Sequence, residues 1–193
     1  MKNKVIVIFG ASGSGKSTLA QEIIKYFKQD NVVVISQDDY YLGCDKSSIK
    51  SFDEPEALDF ELLENHLELL VNNQDIESPI YNFDTHLREN ESTLIEAKPL
   101  IILDGTMVMT SSIIEQLSCY SIYCDIEIDI CFIRRLNRDL KERGRGIDET
   151  ITQYLDEVRP SFFKYISSNK SKSDFLYDET NKSELFNNLK KII

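Results

Sequence analysis

Two rhythms of apolar and polar positions alternate along this chain. Val5–Phe9 is an unbroken apolar run ending at Gly10, the pattern of a strand buried on both faces. Leu19, Ile23, Ile24 and Phe27 then recur at helical spacing. Val32–Ile35 and Leu100–Leu103 are further buried-type runs, Tyr120–Cys124 reads as another strand, and Phe175–Tyr177 as a short last one. Asp59 is placed to cap a helix carrying Leu62, Leu63, Leu67, Leu70 and Val71, and Ser111 to cap a short helix with Ile113, Ile114 and Leu117. Further helices are predicted from about Glu127 to Glu142, closed by Gly144; from about Asp148 to Arg159, where Pro160 interrupts or kinks the pattern; and over Ser183–Ile193. Residues 76–98 break the alternation. They read as a hairpin, with strands from Ile76 to about Leu87 and over Thr93–Ala97, and a polar turn near Glu89–Ser92. Buried strands alternating with helices predict an α/β fold, a doubly wound parallel sheet flanked by helices, with an inserted β-hairpin.

Composition narrows the class. A length of 193 residues suits one domain over 1–193. Acidic residues outnumber basic ones, 33 to 22, for a net charge of −11, which argues against nucleic acid or an anionic membrane as a partner. The longest apolar run has five residues, whereas a spanning helix needs ~20. The N-terminal run enters a glycine-rich loop and not a cleavage site, so it reads as a strand and not as a signal peptide. Cys44, Cys119, Cys124 and Cys131 form no metal-binding spacing with His66 and His86, and are expected as reduced thiols at apolar positions of a cytoplasmic protein.

Residues 10–18 read GASGSGKST and satisfy the phosphate-loop pattern G-x-x-x-x-G-K-[ST] through Gly10, Gly15, Lys16 and Ser17. The spacing has a physical basis. Glycines let the main-chain N–H groups of Gly10, Ala11, Ser12, Gly13, Ser14, Gly15, Lys16, Ser17 and Thr18 curl around phosphate oxygens. The following helix points its positive end at the same anion. Lys16 is then placed for the terminal phosphates and Ser17 for Mg²⁺. The run LIILDG delivers Asp104 at a strand end, in the manner of the acidic strand that holds Mg²⁺. Guanine-recognition motifs of GTPases are absent, so another segment must decide what accepts the phosphate.

Two segments address that question. Val32–Ile35 leads into Ser36-Gln37-Asp38-Asp39-Tyr40-Tyr41, placing acids where α/β sheets bind ligands. A carboxylate there can take a proton from an attacking hydroxyl. Arg134–Arg145 reads RRLNRDLKERGR and concentrates six of the 22 cations in 12 residues. Alone it would read as an ordinary charged helix face with Asp139 and Glu142 as internal partners; beside the phosphate loop it reads as a mobile Arg-rich lid over a triphosphate, about residues 134–147.

The stretches GASGSGKST, SQDDYY, FDEPEALD, PIYNFDTHLR, IILDG, RRLNRDLKERGR and QYLDEVRPSF, in that order over roughly residues 4–167, resemble the uridine–cytidine kinase family of P-loop nucleoside kinases. The resemblance implies transfer of the γ-phosphate of ATP, with Mg²⁺ as cofactor, to the 5′-hydroxyl of uridine or cytidine, in pyrimidine salvage; the altered segment at residues 177–180 leaves GTP open as a donor. It implies Asp38 as catalytic base, and Lys16, Arg138 and Arg145 as catalytic groups. Tyr41, Asp53, Tyr81, His86, Arg135 and Gln153 join Asp38, Arg138 and Arg145 as nucleoside-binding residues, with Asp53 on the ribose hydroxyls. Ser17 and Asp104 are the implied metal residues, Asp104 standing where the family more often has Glu. The implied assembly is a homo-oligomer, tetrameric by the same resemblance. The chain departs from the family pattern at Glu54, where His is usual, and at Tyr177-Asp178-Glu179-Thr180, where a Pro-Arg-Gly-type turn is usual beside the donor base. The residues taken alone leave open a kinase of another small alcohol, phosphoribulokinase- or pantothenate kinase-like, and a non-catalytic nucleotide-binding regulatory protein.

Overall fold

Five parallel strands form the centre: β1 (Lys4–Gly10), β2 (Val32–Ser36), β5 (Leu100–Gly105), β6 (Ser118–Cys124) and β7 (Phe175–Tyr177), in the spatial order β2-β5-β1-β6-β7. The computed structural model describes residues 2–43 and 51–193. Cys44 therefore lies outside the described residues. From β1 the chain proceeds to β2 on one side and later to β6 on the other, so the carboxyl end of β1 is the switch point where such sheets bind ligands.

Period-two alternation explains why both faces are covered. Val5, Val7 and Phe9 of β1, with Ile101 and Leu103 of β5, point to one face; Ile6 and Ile8, with Leu100 and Ile102, point to the other. The first face receives Leu63, Leu67 and Leu70 of α2 (Phe60–Val71) and Ile114 of α3 (Ser112–Leu117). The second receives Leu19 and Ile23 of α1 (Lys16–Phe27) and the C-terminal helix's Leu185 and Leu189. Each of these leucines is essentially inaccessible, and burial of one such side chain stabilises by about 1.5–3 kcal/mol. The predicted caps form: Asp59 Oδ1 accepts the Leu62 amide at 3.2 Å, and Ser111 Oγ accepts that of Ile114 at 3.1 Å.

The hairpin departs from its predicted turn. Its strands are β3 (Ile76–Asn82) and β4 (Leu87–Ile95), so the turn falls at residues 83–86 and not near Glu89–Ser92. Asn82 Oδ1 accepts the Asp84 and Thr85 amides at 2.9 and 3.1 Å, and His86 takes a left-handed φ of 55°. Glu89–Ser92 is polar because most of β4 faces solvent, and that polarity resembled a turn.

Pro160 also acts differently from expectation. After α4 (Ile128–Glu142), α5 (Ile147–Gln153) continues through a π-helical segment (Tyr154–Val158), the short α6 (Arg159–Ser161) and a second π-helical segment (Phe162–Ile166). Widened i→i+5 turns on either side accommodate a residue with no N–H, so the rod continues past Pro160. The chain closes with α7 (Lys182–Ile192). Cys124 and Cys131 are buried as expected and Cys119 is exposed. Among the described residues no helix is long and apolar enough to cross a membrane.

Candidate active site

The loop between β1 and α1 is shaped for an anion. Helix α1 begins without a side-chain cap and without an acid in its first turn, so its leading N–H groups are not taken up by a carboxylate or hydroxyl. Gly13 sits at φ +85°, and a Cβ there would lie 2.3 Å from the carbonyl oxygen of Cys131. Only glycine lets the first turn of α4 pack this closely on the loop. Lys16 is buried and its Nζ donates to the Ala11 carbonyl at 3.0 Å.

Register brings Asp104 to this loop. Pairing of β1 with β5 places Ile8 opposite Asp104, so the acid emerges beside the start of α1. Its Oδ2 accepts the Ser17 hydroxyl at 2.5 Å, while Oδ1 is buried without a hydrogen-bond partner. Burial raises the Asp104 pKa, against the opposing pull of Lys16 and Ser17. A hydroxyl beside a carboxylate with one uncommitted oxygen fits a hard divalent cation such as Mg²⁺. No group of three or more His, Cys, Asp or Glu residues suited to a metal occurs among the described residues, so phosphate oxygens and water would complete the shell.

The segment after β2 forms a single turn, Gln37–Tyr40, capped by Ser36, whose Oγ accepts the Asp38 amide at 3.2 Å. Gln37 is fully buried; its Oε1 accepts the Met107 amide at 2.7 Å and its Nε2 donates to Thr106 Oγ1 at 3.3 Å. Tyr40 is fully buried, with its hydroxyl 2.9 Å from His66 Nδ1 on α2. Two anchors into the core thus bracket Asp38 and Asp39. Burial, and then the charge of Asp38, raises Asp39 to about 6.

Aromatic groups converge from the hairpin and the neighbouring loop. Tyr41 meets Tyr81 at 5.3 Å between ring centroids, and Phe52 stacks on His86 at 5.4 Å and 25°. Phe83 packs edge-on against Tyr81, and the Arg143 guanidinium lies 4.7 Å from its ring centroid. Asp53 follows Phe52; burial raises its pKa, and Arg135 is the largest opposing influence.

The arginine segment separates into two sets. Arg134 pairs with Glu179 at the cavity's exposed edge, with contacts of 2.8 and 3.4 Å. Arg135, Arg138 and Arg143 gather around Asp139, and no ion pair involves Glu142 among the described residues. Gln153 Oε1 accepts from both Arg135 and Arg145, at 3.2 and 2.5 Å. Arg138 Nη2 reaches Ser12 Oγ of the phosphate loop at 3.5 Å.

One cavity of about 760 Å³ collects these groups. Ser12, Gly13, Gly15, Lys16, Ser17, Thr18 and Asp104 line it, as do Asp38, Tyr41, Asp53, Tyr81, His86, Arg135, Arg138, Arg145 and Gln153. Gly10, Ala11 and Ser14 do not; they shape the loop from behind. Arg143 of the arginine segment lines it as well; Phe52, Phe83 and Glu22 also line it and were not singled out in the sequence, although both phenylalanines lie inside the quoted motifs FDEP and IYNFDTH. Of the altered segment at residues 177–180, Tyr177 and Glu179 reach the cavity, and Asp178 caps its own turn through Thr180 and Asn181.

The model of the phosphoribulokinase / uridine kinase family matches residues 5–185. A uridine kinase of Clostridium botulinum (strain Okra / Type B1) is 42% identical over 187 residues, covering 93% of this chain and 90% of that protein. A uridine kinase of Lactobacillus helveticus is 38% identical over 190 residues, covering 95% and 90%. Among solved structures, a protein described as a possible uridine kinase of Bacillus stearothermophilus superposes with a TM-score of 0.69 at 16% identity, covering 92% of this chain and 90% of that one, a likeness of fold.

Proposed function

The chain belongs to the phosphoribulokinase / uridine kinase family, and from that membership we propose that it transfers the γ-phosphoryl group of ATP to the 5′-hydroxyl of uridine, and of cytidine, as a step of pyrimidine salvage. One observation carries the reading: a single cavity is lined both by an anion-shaped loop with Lys16 and by an aromatic cluster with Asp53, and Asp38 lines it too. That arrangement supports a donor phosphate and a flat, polyhydroxylated acceptor bound together, near the same acid.

In this reading Lys16 and the α1 N-terminus hold the phosphates, and Ser17 and Asp104 hold Mg²⁺, which when bound neutralises phosphate charge. Asp53 accepts hydrogen bonds from the ribose hydroxyls, and Tyr41, Tyr81 and His86 enclose the pyrimidine. Asp38 receives the proton of the 5′-hydroxyl as that oxygen attacks phosphorus in line with the departing ADP oxygen. Arg138 and Arg145 stabilise the charge spread over the transferring group, and Gln153 fixes the angle of Arg145. A tetrameric assembly is part of the proposal by family resemblance alone.

The test is coupled ADP release with ATP or GTP against uridine, cytidine, 2′-deoxyuridine, adenosine, ribulose 5-phosphate and pantothenate. Uridine is expected to give the highest kcat/KM. Turnover of ribulose 5-phosphate or pantothenate above uridine would replace the acceptor, and nucleotide binding without turnover of any acceptor would overturn the enzymatic reading.

A further inference from the structure

Asp139 is the one side chain of the arginine segment with no solvent access and three cationic neighbours. It is 0% exposed, with ion-pair distances of 3.4 Å to Arg135 Nε, 3.1 Å to Arg138 Nη2 and 3.6 Å to Arg143 Nη1. Its main-chain carbonyl also accepts the Arg145 amide at 3.1 Å, drawing the chain back after Gly144. All four arginines line the cavity and Asp139 does not. Among the described residues no other carboxylate is in ion-pair contact with Arg135, Arg138 or Arg143.

We propose that Asp139 is a positioning residue of the phosphoryl-transfer reaction: from behind the cavity it fans Arg135, Arg138 and Arg143 toward the transferring group. The inference rests on the kinase reading above. One negative charge facing three guanidiniums leaves a surplus of positive charge directed at the cavity, which phosphate oxygens complete. A stability role explains the arrangement poorly. A carboxylate buried among charges is costly to desolvate, and an apolar side chain would fill the same space at less cost. The geometry ranks the three partners: Arg138 Nε donates to Asp139 Oδ1 at 3.1 Å, whereas Arg135 Nε and Asp139 Oδ2 are within ion-pair reach yet make no hydrogen bond, so the carboxylate holds Arg138 directly and orients Arg135 and Arg143 through charge. Helical spacing supplies the fan, because Arg135, Asp139 and Arg143 succeed one another at i,i+4.

The experiment is a cycle of Asp139→Asn, Arg138→Ala and the double variant, read as kcat and KM for ATP and uridine. Calorimetric stoichiometry of nucleotide binding gives the folded, competent fraction of each preparation. Asp139→Asn is expected to lower kcat by about 30- to 100-fold with uridine KM within about threefold and stoichiometry unchanged. Of the three, Arg138 both hydrogen-bonds Asp139 and reaches the phosphate loop, so it is expected to carry most of the effect, and in the Arg138→Ala background the same change is expected to cost less than about fivefold. Full additivity, or a kcat within about threefold of the unaltered protein, overturns the inference. A merely structural role would lower stoichiometry in step with kcat, and that result overturns it too. If the Asn variant does not fold, Asp139→Glu enters the same cycle: it keeps the charge and displaces it by one methylene, and non-additivity is again expected, with additivity counting against. Uridine-dependent turnover of the unaltered chain tests the kinase reading separately. If another alcohol is the acceptor, the cycle is run with that alcohol; a chain inactive toward every acceptor overturns both.

Discussion

Arg88 and Asp59 meet at 2.9 Å and join the second strand of the hairpin to the first turn of α2. The same guanidinium donates to the carbonyl oxygens of Tyr40 and Tyr41, each at 2.9 Å. The hairpin that carries Tyr81 and His86 is thereby tied to the loop that carries Asp38. Fork geometry is what lysine cannot supply, because three acceptors lie around one planar group.

Arg88→Met keeps the apolar stem and removes the fork. Uridine KM is expected to rise about tenfold and ATP KM to change less than about twofold, with a stability loss of about 1–3 kcal/mol for a charge-assisted set of this kind. Steady-state kinetics with a thermal melt check this. Equal effects on both substrates would place the role of Arg88 in the fold as a whole.

Asp53 faces the cavity with its carboxyl pKa raised by burial, and Arg135 and Arg145 favour the charged form. In the proposed reading Asp53 accepts from two ribose hydroxyls, and a site built that way rejects an analogue that lacks one. Uridine is expected to exceed 2′-deoxyuridine in kcat/KM by about 10²-fold or more, and Asp53→Ala to shrink that ratio below about tenfold. The comparison of the two nucleosides on both proteins checks it. An unchanged ratio would move ribose recognition to another residue.

The sheet and the phosphate loop were legible because each is written locally. Unbroken runs such as Val5–Phe9 have few alternatives to a buried strand, and GASGSGKST carries its loop conformation in its glycines. The turn at residues 83–86 was not, since Asn82 makes it through a side-chain cap while the more polar Glu89–Ser92 lies in an exposed strand. Pro160 misled for a related reason: a helix-breaking residue is tolerated where π-helical turns absorb it, and nothing in composition announces that. Within the site, residue types marked Asp38 and the arginines. Their division between Glu179 and Asp139 depended on contacts 45 positions apart in one case and one helical turn in the other.

Asp39 makes stability depend on pH. Its carboxyl is raised from 3.8 to about 6 by burial and by Asp38, so the folded state holds the proton more tightly than the unfolded chain. The contribution of Asp39 to stability is therefore complete below the unfolded value and lost as pH rises through about 6. Full conversion of that shift would be about 3 kcal/mol, and solvent screening at a half-buried group reduces it to about 1–2 kcal/mol. Asp39→Asn is expected to stabilise the nucleotide-free protein by that amount at about pH 8 and to give no gain at about pH 4. Urea unfolding at both values checks it; a gain equal at both would assign the effect to packing.

Asp38 tests the reaction itself. Its backbone amide is fixed by Ser36, and the residues on either side of the Asp38–Asp39 pair are anchored through Gln37 and Tyr40, so replacing the carboxylate with an amide leaves the turn in place. Asp38→Asn retains shape and reach but loses the negative charge and the capacity to take a proton. A positioned general base contributes about 10²- to 10⁴-fold, so kcat is expected to fall by about that factor while uridine affinity stays within about threefold. Because removal of one negative charge beside the phosphates also lowers repulsion, ATP binding is expected to hold or tighten slightly. Equilibrium binding of both substrates alongside single-turnover rates separates these effects. Loss of uridine binding in proportion to rate would make Asp38 a binding group, and near-normal turnover would require the 5′-hydroxyl proton to leave by another route.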